Sequence, residues 1–160
     1  MEVGYPWLTY GAILAIEGQI KSDHKVLEFG SGGSTIFFSK RCHLVRSYEM
    51  RPRWISHVKD FLPDNSNVSF VYGDHIAMIK SVKDEPDNYY DWVLADIDPS
   101  YELRFRLMNE AIPKLKRHRL LIIDNYNEER MRQFDYTGWD VHTFDDFGYG
   151  SKGTRICIKQ

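Results

Sequence analysis

The segment KVLEFGSGGSTIFFSK, residues 25–40, carries the strongest indication of the fold. A short apolar run that contains Glu28 leads into a turn of three glycines and two serines, and an apolar helical pattern follows it. A strand, a glycine-rich turn and a helix in this order predict one unit of a parallel α/β sheet. Because glycine carries no side chain, such a turn lets a ligand contact the backbone. Which ligand binds there depends on the residues around the turn.

The composition is that of an ordinary folded protein. The chain has 160 residues, of which 42% are hydrophobic and 28% charged. This length can bury a core without disulfides or metals, so we expect one domain over residues 1–160. The formal net charge of -2 argues against a large nonspecific nucleic-acid surface, which needs clustered cations. The basic cluster KLKRHR, residues 114–119, is predicted to be the end of a helix and a loop, where cations favour the helix dipole.

Cysteine usage and the N-terminal sequence bear on the compartment. Cys42 and Cys157 stand in no CxxC or metal-ligand spacing, and we predict free thiols in a reducing compartment. The N-terminal stretch lacks a basic flank, and Glu17 interrupts its apolar pattern. We therefore expect neither a signal peptide nor a membrane span, and a cytoplasmic protein.

Short β-rich runs alternate with helical patterns along most of the chain. The predicted strands lie at residues 25–29, 43–49, 67–74, 90–98 and 119–125. The predicted helices lie at residues 8–20, 34–41, 52–62, 75–82, 101–116 and 128–134. This alternation predicts right-handed βαβ crossovers and a mostly parallel sheet with helices on both faces.

The C-terminal part breaks this alternation. WDVHTFDD and TRICIKQ are two β patterns joined by the glycine-rich segment FGYGSKG, which leaves no room for a helix. They predict an antiparallel hairpin at the edge of the sheet. The expected fold is a Rossmann-like, doubly wound, mostly parallel seven-stranded α/β sheet with an antiparallel C-terminal hairpin.

Acidic residues end all five predicted parallel strands. In open α/β sheets, ligands bind beyond the carboxyl ends of the strands. A carboxylate such as Glu49 can accept hydrogen bonds from both ribose hydroxyls, and Asp74 can accept one from an adenine amino group. Because several acids would repel a pyrophosphate, this edge favours a cationic nucleoside ligand. The residues predicted at the edge are Glu28, Gly30, Ser31, Gly32, Gly33, Ser34, Glu49, Asp74, His75, Asp96, Asp98, Asp124 and Asn125.

The chain resembles, over nearly its whole length, the class I S-adenosylmethionine-dependent methyltransferases. VLEFGSGGS is similar to their first motif, DWVLADID and LLIIDN to their fourth and fifth strand motifs, and Glu49 to the acid that binds the ribose. PWLTYGAI followed by LEFGSGGST is also similar to small bacterial methyltransferase-like proteins. The resemblance implies transfer of a methyl group to the oxygen or nitrogen of a small-molecule or side-chain acceptor. The cofactor-binding residues that it implies are Glu28, Gly30, Ser31, Gly32, Gly33, Ser34, Glu49, Asp74 and Asp96.

Two resemblances concern the acceptor. Asp96, Asp124 and Asn125 fall where metal-dependent catechol-type and caffeoyl-CoA-type O-methyltransferases carry metal ligands, which implies Mg²⁺ or another divalent metal. Pro99 stands where that family has a lysine, so a metal-free site stays open. DPSY, residues 98–101, resembles the Asp-Pro-Pro-Tyr motif of amino-group methyltransferases but begins two residues late, and a helix cap is the alternative.

The acceptor pocket is predicted to include His75, Tyr101, Arg104 and Tyr126. Asp96 and His75 are the candidate catalytic residues, and histidine is the one residue type among the predicted pocket residues that commonly serves as a base near neutral pH. Two other functions stay open at this point. One is a non-catalytic module that binds the cofactor or another nucleotide, and the other is an NAD-binding oxidoreductase in which Glu49 holds the ribose.

Overall fold

A computed structural model describes residues 4–97, 101–148 and 150–160. One mixed sheet runs through it in the strand order β3-β2-β1-β4-β5-β7-β6. The strands are β1 Lys25–Phe29, β2 Leu44–Glu49, β3 Val68–Tyr72, β4 Tyr90–Ala95, β5 Leu115–Asp124, β6 Trp139–Phe144 and β7 Thr154–Lys159. The α-helices are α1 Tyr10–Glu17, α2 Gly33–Ser39, α3 Pro52–Lys59, α4 His75–Asp84 and α5 Tyr101–Ala111, and short 3-10 turns cover Ile112–Lys114 and Met131–Gln133.

The topology confirms the predicted seven-stranded α/β fold. Strands β1 to β5 pair in parallel, whereas β7 pairs antiparallel with both β5 and β6. The final strand thus lies between β5 and β6, and the hairpin closes that side of the sheet. The order reverses between β1 and β4, so the chain leaves these strands in opposite directions and opens a crevice at their carboxyl ends.

Both faces of the sheet are covered. Leu27 and Phe29 belong to the core cluster that includes residues of α4 and α5, and Val26 belongs to the cluster with residues of α1 and α2. Since side chains alternate along a strand, Glu28 faces the same side as Val26, under α2. In the part of the chain that the structure describes, no helix combines the length and the apolar character that crossing a bilayer would require.

The basic cluster at residues 114–119 lies mostly in a strand, so the prediction of a helix end and loop was wrong. Strand β5 begins at Leu115, and its register against β4 shifts between Tyr90 and Trp92. The left-handed backbone of His118, with φ of 58°, is part of this irregular stretch. Lys116 and Arg119 lie 2.9 and 3.2 Å from the buried Asp91 carboxylate, which replaces the expected helix dipole as their partner.

The helix predicted over residues 128–134 was also wrong. Turns and the single 3-10 turn Met131–Gln133 occupy this stretch. A segment this short does not sustain a helix unless packing supports it. Met131 and Phe134 are buried there, whereas Arg130, Arg132 and Gln133 are not, so the stretch has no continuous apolar face to support another turn.

Candidate active site

A cleft of about 400 Å³ opens at the carboxyl edge of the sheet, over the point where the strand order reverses. Its volume is within the range of small-molecule sites, roughly 300–1,000 Å³. We divide it into two halves. The glycine half consists of the turn at residues 30–34, Glu49 and the exposed face of α3, and the carboxylate half consists of Asp96, Arg104, Asp124 and Asn125.

The three glycines of the turn have different surroundings. Gly30 has φ of +97°, and a Cβ there would lie 2.8 Å from the carbonyl oxygen of Asp96. A Cβ on Gly33 would overlap the carbonyl oxygen of Tyr5. A Cβ on Gly32 would find only the Trp54 Nε1, at 3.8 Å. Two glycines therefore allow the chain to pack against itself, and Gly32 is the one at which the backbone borders open space.

Glu49 ends β2 in the wall of the glycine half and is 4% exposed. Its Oε2 accepts a hydrogen bond from the Ser31 N–H at 3.1 Å, and its Oε1 accepts one from the Arg51 N–H at 2.7 Å. These backbone donors fix the carboxylate beside the glycine turn. Since each carboxylate oxygen has a second lone pair, Glu49 can still accept hydrogen bonds from a ligand.

Glu28 lies under the turn and not among the residues that line the cleft. It is fully buried, and its Oε2 accepts a hydrogen bond from the Ser34 hydroxyl at 2.9 Å. Its Oε1 is buried without a hydrogen-bond partner in the described chain. Burial raises the pKa of Glu28 to about 7. The structure thus differs from the prediction of a cofactor contact and gives Glu28 the position of a support for the turn.

Asp74 and His75 also lie away from the described lining of the cleft. Strand β3 ends at Tyr72, and α4 begins at His75 with Asp74 as its N-cap. The Asp74 Oδ1 accepts a hydrogen bond from the Ala77 N–H at 2.9 Å. Both side chains are exposed. The structure therefore supports the helix-cap alternative for Asp74 and does not bring His75 to the predicted acceptor pocket.

The carboxylate half is organised around a buried arginine. Arg104 of α5 is 2% exposed, and its three nitrogens donate to the Ile97 carbonyl at 3.0 Å, the Asp124 carbonyl at 2.8 Å and the Asp96 Oδ1 at 3.2 Å. The guanidinium thus joins the ends of β4 and β5 to the side chain of Asp96. Tyr101, also predicted for the acceptor pocket, lines this end of the cleft.

The Asp96 and Asp124 carboxyls lie close enough to shift each other's pKa. Burial raises the pKa of both groups, and the nearby Asp124 raises that of Asp96 further, to well above its ordinary value. The Arg104 guanidinium opposes these shifts but does not cancel them. Two adjacent carboxylates do not both ionise readily, so the pair takes up a proton at higher pH than an isolated carboxyl does.

The predicted metal ligands lie together, but their oxygens have other partners. The Asp124 Oδ1 accepts from the Ser151 hydroxyl at 2.6 Å, and its Oδ2 accepts from the Asn125 amide. Arg104 engages the Asp96 Oδ1. Across residues 4–97, 101–148 and 150–160, no group of three or more His, Cys, Asp or Glu side chains is arranged to hold a metal ion. These residues do not fit a divalent cation.

Aromatic residues of α3 and of the turn after it belong to the cleft and were not predicted from the sequence. Trp54, His57 and Phe61 line the cleft, and their ring centroids follow each other at 5.2 Å and 5.2 Å. The Trp54 indole N–H donates to the Ser31 carbonyl and so contacts the glycine turn. The spacing of the three residues places them on one helical face, which was the available signal.

The predicted DPSY motif falls mainly on Asp98, Pro99 and Ser100, which lie outside the described residues. Tyr101 is the first residue of α5. The remaining residue predicted for the acceptor pocket, Tyr126, is not part of the described lining, and its hydroxyl donates to Asp145 at 2.7 Å.

Solved structures share this fold. An O-methyltransferase from Bacillus cereus in complex with SAH matches with a TM-score of 0.74 and 16% identity, over 92% of this chain and 78% of that one. An rRNA methylase from Streptococcus thermophilus matches with a TM-score of 0.68 and 12% identity, over 91% of each chain. The precorrin 8W decarboxylase of Methanobacterium thermoautotrophicum matches with a TM-score of 0.68 and 17% identity, over 99% of this chain and 93% of that one.

No family model and no curated protein sequence matches the chain. The fold is nevertheless that of the class I S-adenosylmethionine-dependent methyltransferases, as the sequence resemblance predicted. The three similar structures carry names of different reactions, so the fold by itself does not determine what this chain acts on.

Proposed function

We propose that this chain is a methyltransferase that binds S-adenosylmethionine in the glycine half of the cleft and a small-molecule or side-chain acceptor in the carboxylate half. The observation that carries the proposal is Glu49, held by the backbone N–H groups of Ser31 and Arg51 at the wall of the cleft. Next to it, Gly32 gives a ligand access to the backbone. An acid for the ribose and an open backbone beside it fit a nucleoside cofactor.

The position of Glu49 favours a sulfonium cofactor over NAD. Three acids, Glu49, Asp96 and Asp124, line the cleft together with three cations, Arg51, Arg104 and Lys152, so the cleft as a whole is not strongly negative. Glu49 is the carboxylate that is hydrogen-bonded to the turn itself. A dinucleotide would bring its pyrophosphate to the turn, next to this carboxylate, and the repulsion would oppose binding, whereas a cationic ligand would be attracted. The residues that would hold the cofactor are Gly30, Ser31, Gly32 and Glu49, with the aromatic face of α3 as a further wall.

S-adenosylmethionine, when bound, supplies a methyl group on a positively charged sulfur. Methyl transfer is an in-line displacement, so alignment of the acceptor and exclusion of water supply much of the catalysis. Asp96 is the residue we assign to the acceptor, because Arg104 fixes its carboxyl inside the cleft. In this role it would hydrogen-bond the O–H or N–H group that receives the methyl group and so orient it.

The two cysteines support a reducing compartment such as the cytoplasm. Cys42 and Cys157 are both free and both buried. They belong to the two separate core clusters. Unpaired buried thiols are common in proteins of reducing compartments, where disulfides do not persist.

Isothermal calorimetry with S-adenosylhomocysteine and with NAD tests the cofactor assignment. We expect the wild-type chain to bind S-adenosylhomocysteine and not NAD. Glu49→Ala should weaken binding about 10- to 100-fold, because hydrogen bonds to a charged partner contribute roughly 1.5–3 kcal/mol. No S-adenosylhomocysteine binding at about millimolar concentration would contradict the proposal, since cofactor sites bind well below this range.

Turnover then separates an enzyme from a binding module. The assay incubates the chain with S-adenosylmethionine and panels of hydroxyl and amine acceptors and measures S-adenosylhomocysteine. We expect product with at least one panel and a loss of turnover, with cofactor binding retained, in Asp96→Asn. Binding without turnover on either panel would favour the non-catalytic module.

A further inference from the structure

We propose that the Arg104 guanidinium takes the place of the divalent cation in the carboxylate half, so that this site binds its acceptor without a metal. The inference rests on the proposed function, because it takes from it that the carboxylate half binds the methyl acceptor. Whether this half binds a metal can be tested without turnover. It follows from where the arginine lies, what it contacts and which oxygens it leaves free.

The guanidinium lies among the residues predicted to bind a metal. It contacts the Asp96 carboxylate at 3.2 Å and the Asp124 carbonyl at 2.8 Å, and it is almost completely shielded from solvent. A third hydrogen bond, to the Ile97 carbonyl at 3.0 Å, orients the guanidinium across the ends of β4 and β5. An arginine with three hydrogen-bond partners and almost no exposed surface is part of the site and not a side chain that moves aside for an ion.

The oxygens that remain do not suit a hard cation. Mg²⁺ requires near-octahedral oxygen coordination at roughly 2.0–2.1 Å. Asp124 is hydrogen-bonded at both carboxylate oxygens, by Ser151 and by Asn125. A dication would have to displace these donors and approach a buried positive charge, and like charges repel strongly in a shielded site.

Arg104 performs the two tasks that a metal would perform here. It neutralises part of the charge of the acid pair, and it fixes the Asp96 carboxyl at the cleft wall. A guanidinium offers only N–H donors and has no coordination position, so it cannot chelate an adjacent pair of hydroxyls as a metal ion does. The geometry therefore fits an acceptor that offers a single O–H or N–H donor to Asp96, and not an acceptor that needs a metal to bind an adjacent pair of hydroxyls.

The test measures Mn²⁺ binding by electron paramagnetic resonance in four proteins: the wild type, Arg104→Met, Arg104→Lys and Lys152→Ala. Arg104→Met keeps an unbranched side chain of similar length without the charge, and we expect it to gain Mn²⁺ affinity by about tenfold or more. Arg104→Lys keeps a cation and should not gain affinity. Lys152→Ala removes a different cation from the same cleft and should behave as the wild type.

Mn²⁺ binding to the wild type below about millimolar concentration would overturn the proposal, because functional metal sites bind in or below this range. The same conclusion follows if a folded Arg104→Met gains no affinity, or if Lys152→Ala gains as much. If Arg104→Met does not fold, the wild-type titration decides alone, since its binding contradicts the proposal and its failure to bind supports it. Calorimetry with S-adenosylhomocysteine on the same samples reports separately on the cofactor assignment.

Discussion

The two halves of the cleft are held in place by different kinds of group. In the glycine half, backbone N–H groups fix the Glu49 carboxylate. Within the turn, the Gly32 N–H donates a hydrogen bond to the Thr35 hydroxyl. In the carboxylate half, a buried side chain of α5 links β4 to β5, and Ser151 reaches Asp124 from 27 residues further along the chain. The first half is built mainly from backbone groups, and the second is built from charged side chains.

This difference has consequences for stability and for binding. A site built from backbone groups loses function when a side chain fills its open space, while its fold tolerates most other changes. A site built from buried charges is sensitive to the loss of any partner, because the remaining charge stays buried without compensation. Substitutions that fill the open space of the glycine half should therefore lower ligand affinity, and substitutions of the charged residues in the carboxylate half should lower the free energy of unfolding.

The largest expected effect is the loss of stability in Arg104→Ala. The substitution removes the buried cation beside Asp96 and leaves the Ile97 and Asp124 carbonyls without their donor, and we expect the free energy of unfolding to fall by about 3–5 kcal/mol. Urea denaturation measures it. The matched control is Lys83→Ala, whose partner Glu110 lies 3.4 Å away at the surface, with an expected loss of about 0–1 kcal/mol. Equal losses in both variants would show that the carboxylate half is not held by its charges.

The second effect is a pH dependence that comes from Glu28. Its pKa is raised from 4.5 to about 7 by burial, so between these two values the folded state binds a proton that the unfolded state does not. Stability from this group is present at low pH, falls as pH rises from about 4.5 to about 7, and changes no further above that. At about 1.4 kcal/mol per pKa unit, the total is on the order of 3 kcal/mol.

Glu28→Gln isolates this contribution. The amide cannot ionise, but its oxygen can still accept the hydrogen bond from Ser34. Urea denaturation at pH 5 and at pH 8 should show a smaller decrease in stability in the variant than in the wild type. Asp96 and Asp124, whose pKa values are also raised, contribute a decrease of the same sign to both proteins. The charge of Glu28 raises the pKa of Asp96, so its loss in the variant makes the Asp96 contribution smaller as well and adds to the expected difference. The same decrease in variant and wild type would mean that Glu28 is ionised throughout.

The third effect distinguishes two glycines of the same turn. Gly33→Ala would press its Cβ against the Tyr5 carbonyl, and we expect the free energy of unfolding to fall by about 1–3 kcal/mol, as in other overpacked sites. Gly32→Ala meets only the Trp54 Nε1 at 3.8 Å, so its stability should change little, while its S-adenosylhomocysteine affinity should fall. If Gly33→Ala instead lowered the S-adenosylhomocysteine affinity without changing the stability, the backbone that borders the open space of the cleft would be at Gly33 and not at Gly32.

The sequence predicted the glycine half better than the carboxylate half for a physical reason. The strand, turn and helix at residues 25–40 follow one another directly in the chain, so the order of apolar, glycine and polar residues predicts them. The gathering of Asp96, Asp124 and Asn125 at one edge follows from strand order alone and was also predictable. That Arg104 would insert between them was not, because its partners belong to two strands and its position depends on how α5 packs.

The errors in secondary structure have the same origin. The cluster at 114–119 has the charge pattern of a helix end, but the buried Asp91 of the neighbouring strand attracts Lys116 and Arg119 into β5. Asp74 lies at the end of a predicted strand, but β3 ends at Tyr72 and leaves it as a cap. In each of these cases a tertiary or capping contact outweighs the local pattern.

The smallest expected effect concerns Asp74 and tests the boundary of the glycine half. As the N-cap of α4, Asp74 stabilises the helix through the Ala77 N–H, and Asp74→Ala should lower the free energy of unfolding by about 1 kcal/mol. The Asp74 side chain is exposed and lies outside the described cleft lining, so the S-adenosylhomocysteine affinity of Asp74→Ala should stay within about twofold of the wild type. Loss of a contact worth about 1.4 kcal/mol would lower the affinity about tenfold. Asp74→Asn, which also caps helices well, should restore the stability. A loss of affinity in Asp74→Ala comparable to that of Glu49→Ala would instead extend the cofactor site to the end of β3, and Glu49 would no longer mark its limit.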